Sequence, residues 1–133
     1  MNAVVVGCGS IGKVHAQVIN ECENAVLYAI CDINKQRVIE AAEEYKCKGF
    51  YCLDECLKDA NVDVIHICTP HYLHYEMIIK ALDAGKKVVC EKPAVMTKQE
   101  LDLLCSNYDT KNIFPIIQNR TNYCIEKLKK NNM

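Results

Sequence analysis

The sequence predicts an α/β fold, a doubly wound parallel sheet with helices on both faces, and three observations carry that prediction. Strand-sized apolar runs alternate with amphipathic helical stretches along nearly the whole chain, the pattern of right-handed βαβ crossovers. The run Val62-Asp-Val-Ile-His-Ile-Cys68 is almost continuously apolar, as a strand buried on both faces must be. The opening residues form an apolar strand that runs directly into Gly7-x-Gly9-x-x-Gly12 and then into a helical pattern.

Strands are expected at Ala3–Val6, Val26–Cys31, a weak Gly49–Cys52, Val62–Cys68, Lys87–Glu91 and Ile113–Gln118. Helices are expected at Ile11–Cys22, Lys35–Tyr45, a short segment after Asp54, Tyr72–Ala84 and Lys98–Tyr108, with a basic helix over Asn122–Lys130. Local punctuation supports these boundaries. Thr97-x-x-Glu100 is a capping box ahead of Leu101, Leu103 and Leu104. Gly85 suits a left-handed cap after the Tyr72–Ala84 helix. In that helix Leu73, Met77, Ala81 and Ala84 make one apolar stripe, with Ile78 and Leu82 beside it. No linker or internal repeat interrupts the chain, so a single domain over residues 1–133 is expected.

The glycine spacing has a mechanism. Gly7 allows a tight turn out of the strand, Gly9 lets the backbone approach a pyrophosphate, and Gly12 lets the helix sit close to the sheet. Free N–H groups and the positive end of the helix dipole then face the phosphates. Asp32 ends the next apolar run, twenty residues after Gly12. It can accept hydrogen bonds from the adenosine ribose hydroxyls and repel a 2′-phosphate. Strand, glycine loop, helix and acid together form the Rossmann dinucleotide fingerprint, and NAD rather than NADP is the expected cofactor. Ile33 and Asn34, not an arginine, follow Asp32, although Lys35 and Arg37 are near.

The composition narrows the partners. The 133 residues carry a net charge of −1, which gives no electrostatic reason to expect nucleic acid or an anionic membrane. No apolar run is long enough to span a bilayer. The N-terminus has no basic region before its apolar run, so no cleavable signal peptide is expected. Ten cysteines without a C-x-x-C pair are expected as free thiols in a reducing cytoplasm, and no metal site is expected from them.

In an open parallel sheet, ligands collect at the carboxyl ends of the strands. Those ends here hold the glycine loop, Asp32, Thr69-Pro70-His71, Glu91-Lys92-Pro93 and Gln118-Asn119-Arg120. The segments Val5-Val-Gly-Cys-Gly-Ser-Ile-Gly-Lys-Val-His15, Ile67-Cys-Thr-Pro-His-Tyr-Leu-His74, Val88-Val-Cys-Glu-Lys-Pro93 and Gln118-Asn-Arg120 occur in order. Together they resemble the N-terminal half of the Gfo/Idh/MocA oxidoreductases, and Glu91-Lys92-Pro93 is the most specific mark.

The resemblance implies hydride transfer between a nicotinamide and a secondary alcohol or ketone, commonly of a sugar or polyol. It implies that Gly7, Gly9, Ser10, Ile11 and Gly12 hold the pyrophosphate and Asp32 the adenosine ribose. Thr69, Pro70 and His71 would line the middle of the cofactor, His71 standing where the family more often has asparagine. Glu91 and Lys92 would lie beside the nicotinamide ribose. Lys92 is the catalytic candidate, its ammonium stabilising charge at the reacting oxygen. Gln118 and Arg120 would face the nicotinamide end. The resemblance further implies that the 133 residues are the cofactor half alone, with a substrate domain outside them. A sugar or polyol substrate, and self-association or a partner subunit, would then depend on that second half. The alternative is a dinucleotide-binding module without turnover.

Other polar residues have plainer readings. His15, on the apolar side of the first helix with Ile11 and Ile19, and His66, in mid-strand, are expected to be hydrogen-bonded core groups. His71 and His74 have no third metal ligand at hand. Cys8 could be activated by the helix start, but packing as a small residue is the expectation. Lys127, Lys129 and Lys130 complement a helix C-terminus.

Overall fold

The computed structural model of the chain describes residues 1–118 and Lys127. Six strands form one parallel sheet: β1 (Asn2–Val6), β2 (Val26–Cys31), β3 (Lys48–Phe50), β4 (Val64–Ile67), β5 (Lys87–Cys90) and β6 (Ile113–Pro115), in the order β3-β2-β1-β4-β5-β6. The helices are α1 (Ser10–Asn20), α2 (Lys35–Tyr45), α3 (Leu53–Lys58), α4 (His74–Asp83) and α5 (Lys98–Asn107). This is the doubly wound order, reversing direction at β1, where the chain leaves for β2 on one side and β4 on the other.

Alternation along the strands divides the core into two layers. Ala3, Val5, Leu27, Ile30 and Val64 pack with Ala16 and Ile19 of α1 and Ala41 of α2. Val4, Val6, Ala29, Cys31, Ile65, Ile67, Val88 and Cys90 pack on the other face with α3, α4 and α5 through Leu53, Cys56, Ile78, Ala81 and Leu104. The cysteines in these strands behave as small apolar residues, and every cysteine among the described residues is free.

Caps fix where the helices begin and end. Thr97 and Glu100 form the reciprocal capping box at the start of α5. Gly85, at φ +72°, closes α4, with Gly85 N–H donating to the Leu82 carbonyl and Lys86 N–H to that of Ala81.

Some boundaries differ from the sequence expectation. Residues 71–73 form a separate 3₁₀ turn ahead of α4, and the buried line of that helix is His74, Ile78 and Ala81 rather than the Leu73–Met77–Ala81–Ala84 stripe. Helix α3 starts at Leu53, with Asp54 and Glu55 in its first turn, where acids complement the dipole. Strand β6 stops at Pro115, opposite Cys90 at the end of β5, with the Ile116 N–H still donating to the Cys90 carbonyl at 2.8 Å, so Ile117 and Gln118 lie beyond it. Arg120 and the basic helix expected over residues 122–130, apart from Lys127, lie outside the described residues. Among the described residues no helix is long and apolar enough to cross a membrane.

Candidate functional site

The glycine loop connects β1 to α1 at the carboxyl edge of the sheet. Gly7 turns at φ +98°, a conformation that L side chains rarely adopt, and its N–H donates to the Cys31 carbonyl at 2.8 Å. A Cβ at Gly12 would stand 1.8 Å from the Gly7 carbonyl oxygen, so only glycine lets α1 come this close to the loop. Gly9 is different. It is the N-cap of α1, and nothing lies within 4 Å of where its Cβ would be. No side chain caps α1 and its first turn holds no acid. The first N–H groups of α1 therefore have no side-chain cap, and the helix start, with its dipole behind it, adjoins the open space at Gly9.

Asp32 closes the adjoining side. One carboxylate oxygen accepts the Cys8 N–H at 2.7 Å and the other the Asn34 N–H at 2.8 Å. Each oxygen keeps a further lone pair for a ligand donor. Cys8 packs beneath the loop, its thiol directed at the Cys31 carbonyl at 3.7 Å. Burial first, and the Asp32 charge second, push that thiol up to about 12. It is a packing group and not an activated nucleophile.

A cleft of about 380 Å³ opens between the loop and α2, lined by Gly9, Ser10, Lys13, Arg37, Glu40 and Glu44 among others. That volume lies in the range of small-molecule sites. The sequence reading noted Arg37 but missed Lys13, Glu40 and Glu44. The spacing of Arg37, Glu40 and Glu44 along one helical face was the available signal.

Beyond the switch point, β4 and β5 bring two more corners to the same edge. The Thr69 hydroxyl donates to the Met77 sulfur at 3.4 Å, so it turns toward α4. Pro70 and His71 are exposed. His74, fully buried, has one ring nitrogen 2.8 Å from the Thr69 carbonyl and the other 2.8 Å from that of Pro93, tying the two corners together. Glu91 is buried while Lys92 is exposed, and the Lys92–Pro93 peptide is cis. Among the described residues no carboxylate pairs with the Lys92 ammonium group. Gln118 is exposed past the end of β6.

The buried carboxylate of Glu91 is accounted for by a partner that sequence reasoning missed. His15 Nε2 lies 3.0 Å from Glu91 Oε1, and His15 Nδ1 lies 3.1 Å from His66 Nδ1. The two histidines read from sequence as core groups thus form a chain with Glu91, linking α1, β4 and the end of β5. The 76-residue separation of His15 and Glu91 hid the pair from any local pattern. Among the described residues no cluster of His, Cys, Asp or Glu is built to hold a metal ion.

Comparison with known proteins bears on what this edge holds. A family model described as "Oxidoreductase family, NAD-binding Rossmann fold" matches residues 1–114. Myo-inositol 2-dehydrogenase of Thermotoga maritima is 34% identical over 103 residues, covering 77% of this chain and 31% of that protein. A 2,7-anhydro-N-acetylneuraminate hydratase of Mediterraneibacter gnavus is 35% identical over 98 residues, covering 74% of this chain and 26% of the other. The crystal structure of the WlbA dehydrogenase from Bordetella pertussis, in complex with NADH and UDP-GlcNAcA, superposes with a TM-score of 0.87 at 30% identity. It covers 96% of this chain and 41% of that one. The chain spans between a quarter and a third of the length of the curated relatives it matches.

Proposed function

Because the chain belongs to the Gfo/Idh/MocA oxidoreductase family through its NAD-binding Rossmann domain, we propose that it holds NAD(H) along the carboxyl edge of its sheet for chemistry at a sugar or polyol carbon. The observation that carries this reading is the uncapped start of α1 beside open space at Gly9, with Asp32 anchored next to it. These residues fit a dinucleotide. The Ser10, Ile11 and Gly12 amides meet the negative pyrophosphate with donors that need no rearrangement. Asp32 takes the adenosine ribose hydroxyls and disfavours a 2′-phosphate, which gives a preference for NAD(H) over NADP(H).

When bound, the nicotinamide supplies the hydride acceptor or donor. The chain's own groups do the rest of what this half does. Thr69, Pro70, His71 and Gln118 border the path of the cofactor, and Arg120 joins them by resemblance alone. Glu91 and Lys92 flank the nicotinamide end, where the ammonium of Lys92 steadies negative charge developing on the substrate oxygen. The substrate class rests on relatives whose names specify inositol and sugar derivatives. One of them is a hydratase, so the residues shared here serve more than one net reaction.

A second reading keeps the same site for dinucleotide binding without turnover. Calorimetric titration with NADH and NADPH tests the first claim. Saturable NADH binding, about ten- to a hundredfold tighter than NADPH, is expected. Equal or tighter NADPH binding overturns the preference. Dehydrogenation of polyols once the C-terminal part of a relative is supplied as a separate polypeptide discriminates the two readings, since a binding module gives none even then.

A further inference from the structure

The corner that carries Lys92 is held from both faces of the sheet. On the α1 face, Glu91 Oε1 meets His15 Nε2 at 3.0 Å, while Glu91 Oε2 accepts the Lys92 N–H at 3.3 Å. On the α4 face, His74 grips the Pro93 carbonyl at 2.8 Å. Lys92 thus sits between two residues, each fixed by a histidine from a different helix. His15 itself projects from the helix whose first turn opens onto the proposed phosphate site.

The partners in this network set how the rings stand. Glu91 as a carboxylate only accepts, so His15 donates from Nε2. Its Nδ1 faces His66 Nδ1 across 3.1 Å, where one of the two nitrogens donates and the other accepts. His66 is held neutral: burial first, and the neighbouring His15 ring second, push it down to about 4. The Glu91 carboxylate at the end of β5 faces this chain, the Cys68 thiol shares its layer of the core, and the Cys90 thiol lies next to Glu91 on the opposite face. Burial first, and the Glu91 charge second, push both thiols up to about 12, so they stay protonated. Neither adds a competing charge.

We propose that His15 is a positioning residue for Lys92, acting through the Glu91 side chain, with His66 fixing the orientation of its ring. This rests on the reading that Lys92 meets the dinucleotide. It adds that α1 does two things at once: its N-terminus receives the phosphates, and its second turn sets where the lysine stands. A helix displaced by misplaced phosphates would displace Lys92 as well.

A double-mutant cycle read by NADH affinity tests the proposal, with fluorescence titration of the full chain, His15→Ala, His15→Gln, Lys92→Ala and the His15→Ala/Lys92→Ala pair. His15→Ala is expected to bind NADH about tenfold more weakly. His15→Gln, which keeps an N–H donor for Glu91, should recover most of that loss. Because His15 acts through Lys92, the double variant should bind no more weakly than Lys92→Ala alone; an effect that adds in full overturns the proposal. Equal affinities for His15→Ala and the unsubstituted chain overturn it too. If His15→Ala does not fold, His15→Leu, which keeps the bulk of the ring but has no donor for Glu91, takes its place in the cycle, with the same expected and overturning results. An unsubstituted chain that binds no NADH overturns the functional reading, and the proposal with it. Binding by that chain without coupling overturns the proposal alone.

Discussion

In the proposed function Asp32 is the side chain that selects the cofactor. Its oxygens already satisfy Cys8 and Asn34, so the carboxylate arrives oriented. Asp32→Asn keeps an acceptor for one of those amides but removes the charge. NADH affinity should fall about tenfold and the discrimination against NADPH should narrow, as read by parallel titrations. His66 gives a prediction about stability. Its folded value of about 4 lies below the ordinary 6.5, so the unfolded chain binds more protons between those values. Stability is fully present above pH 6.5 and is lost as pH falls through 4, by at most about 3 kcal/mol. His66→Asn keeps an N–H toward His15 and cannot titrate, so urea midpoints of this variant should vary less with pH across that window. At this scale the glycines and Asp32 were legible in the sequence because their spacing along one strand–turn–helix unit has a fixed meaning. The polar histidines were visible as oddities within apolar patterns. Their partner was not, since only the crossover to β5 brings Glu91 to α1.

Among the elements, the β1–α1 unit separates folding from binding. Gly9→Ala meets open space at φ −73°, so thermal stability should change little, within about 0.5 kcal/mol, while NADH binding weakens because the new methyl occupies the phosphate approach. Gly12→Ala sets a methyl into the Gly7 carbonyl and should lower stability by about 1–3 kcal/mol or more. Finding the two variants equal in both melting temperature and affinity would contradict the assigned roles. Removing the capping box through Thr97→Ala should cost about 1 kcal/mol in denaturant unfolding and leave NADH affinity unchanged, because α5 lies away from the glycine loop. Capping chemistry and Gly85 made α5 and the end of α4 readable in advance. The start of α4 was not, since the 3₁₀ turn at 71–73 follows from the His74 ring being drawn inward to two backbone carbonyls. The overlong reading of β6 came from weighing apolar Ile116 and Ile117 without the length of its neighbour, since β5 ends at Cys90 and its last bond is taken by the Ile116 N–H.

For the whole molecule, alternation of strands and helices fixed the α/β class, and the two buried layers follow from period-two alternation along the strands, offset in β2 where the register shifts between Leu27 and Ala29. The strand order β3-β2-β1-β4-β5-β6 places the glycine loop, Asp32, Thr69 and Glu91-Lys92 on one edge although they span much of the sequence. Proximity and orientation supply about 7–11 kcal/mol of barrier lowering in enzymes, and most of the length of the relatives lies outside the part matched here. The purified chain is therefore expected to bind NADH but to form none from NAD and myo-inositol above background. The central claim, that a dinucleotide lies over the uncapped start of α1 beside Asp32, is tested most directly by following backbone amide signals while NADH is added. The account predicts saturable shifts at Gly9, Ser10, Ile11, Gly12 and the residues flanking Asp32, together with Lys92. An absence of saturable shifts, or shifts confined to the opposite edge of the sheet, would contradict it.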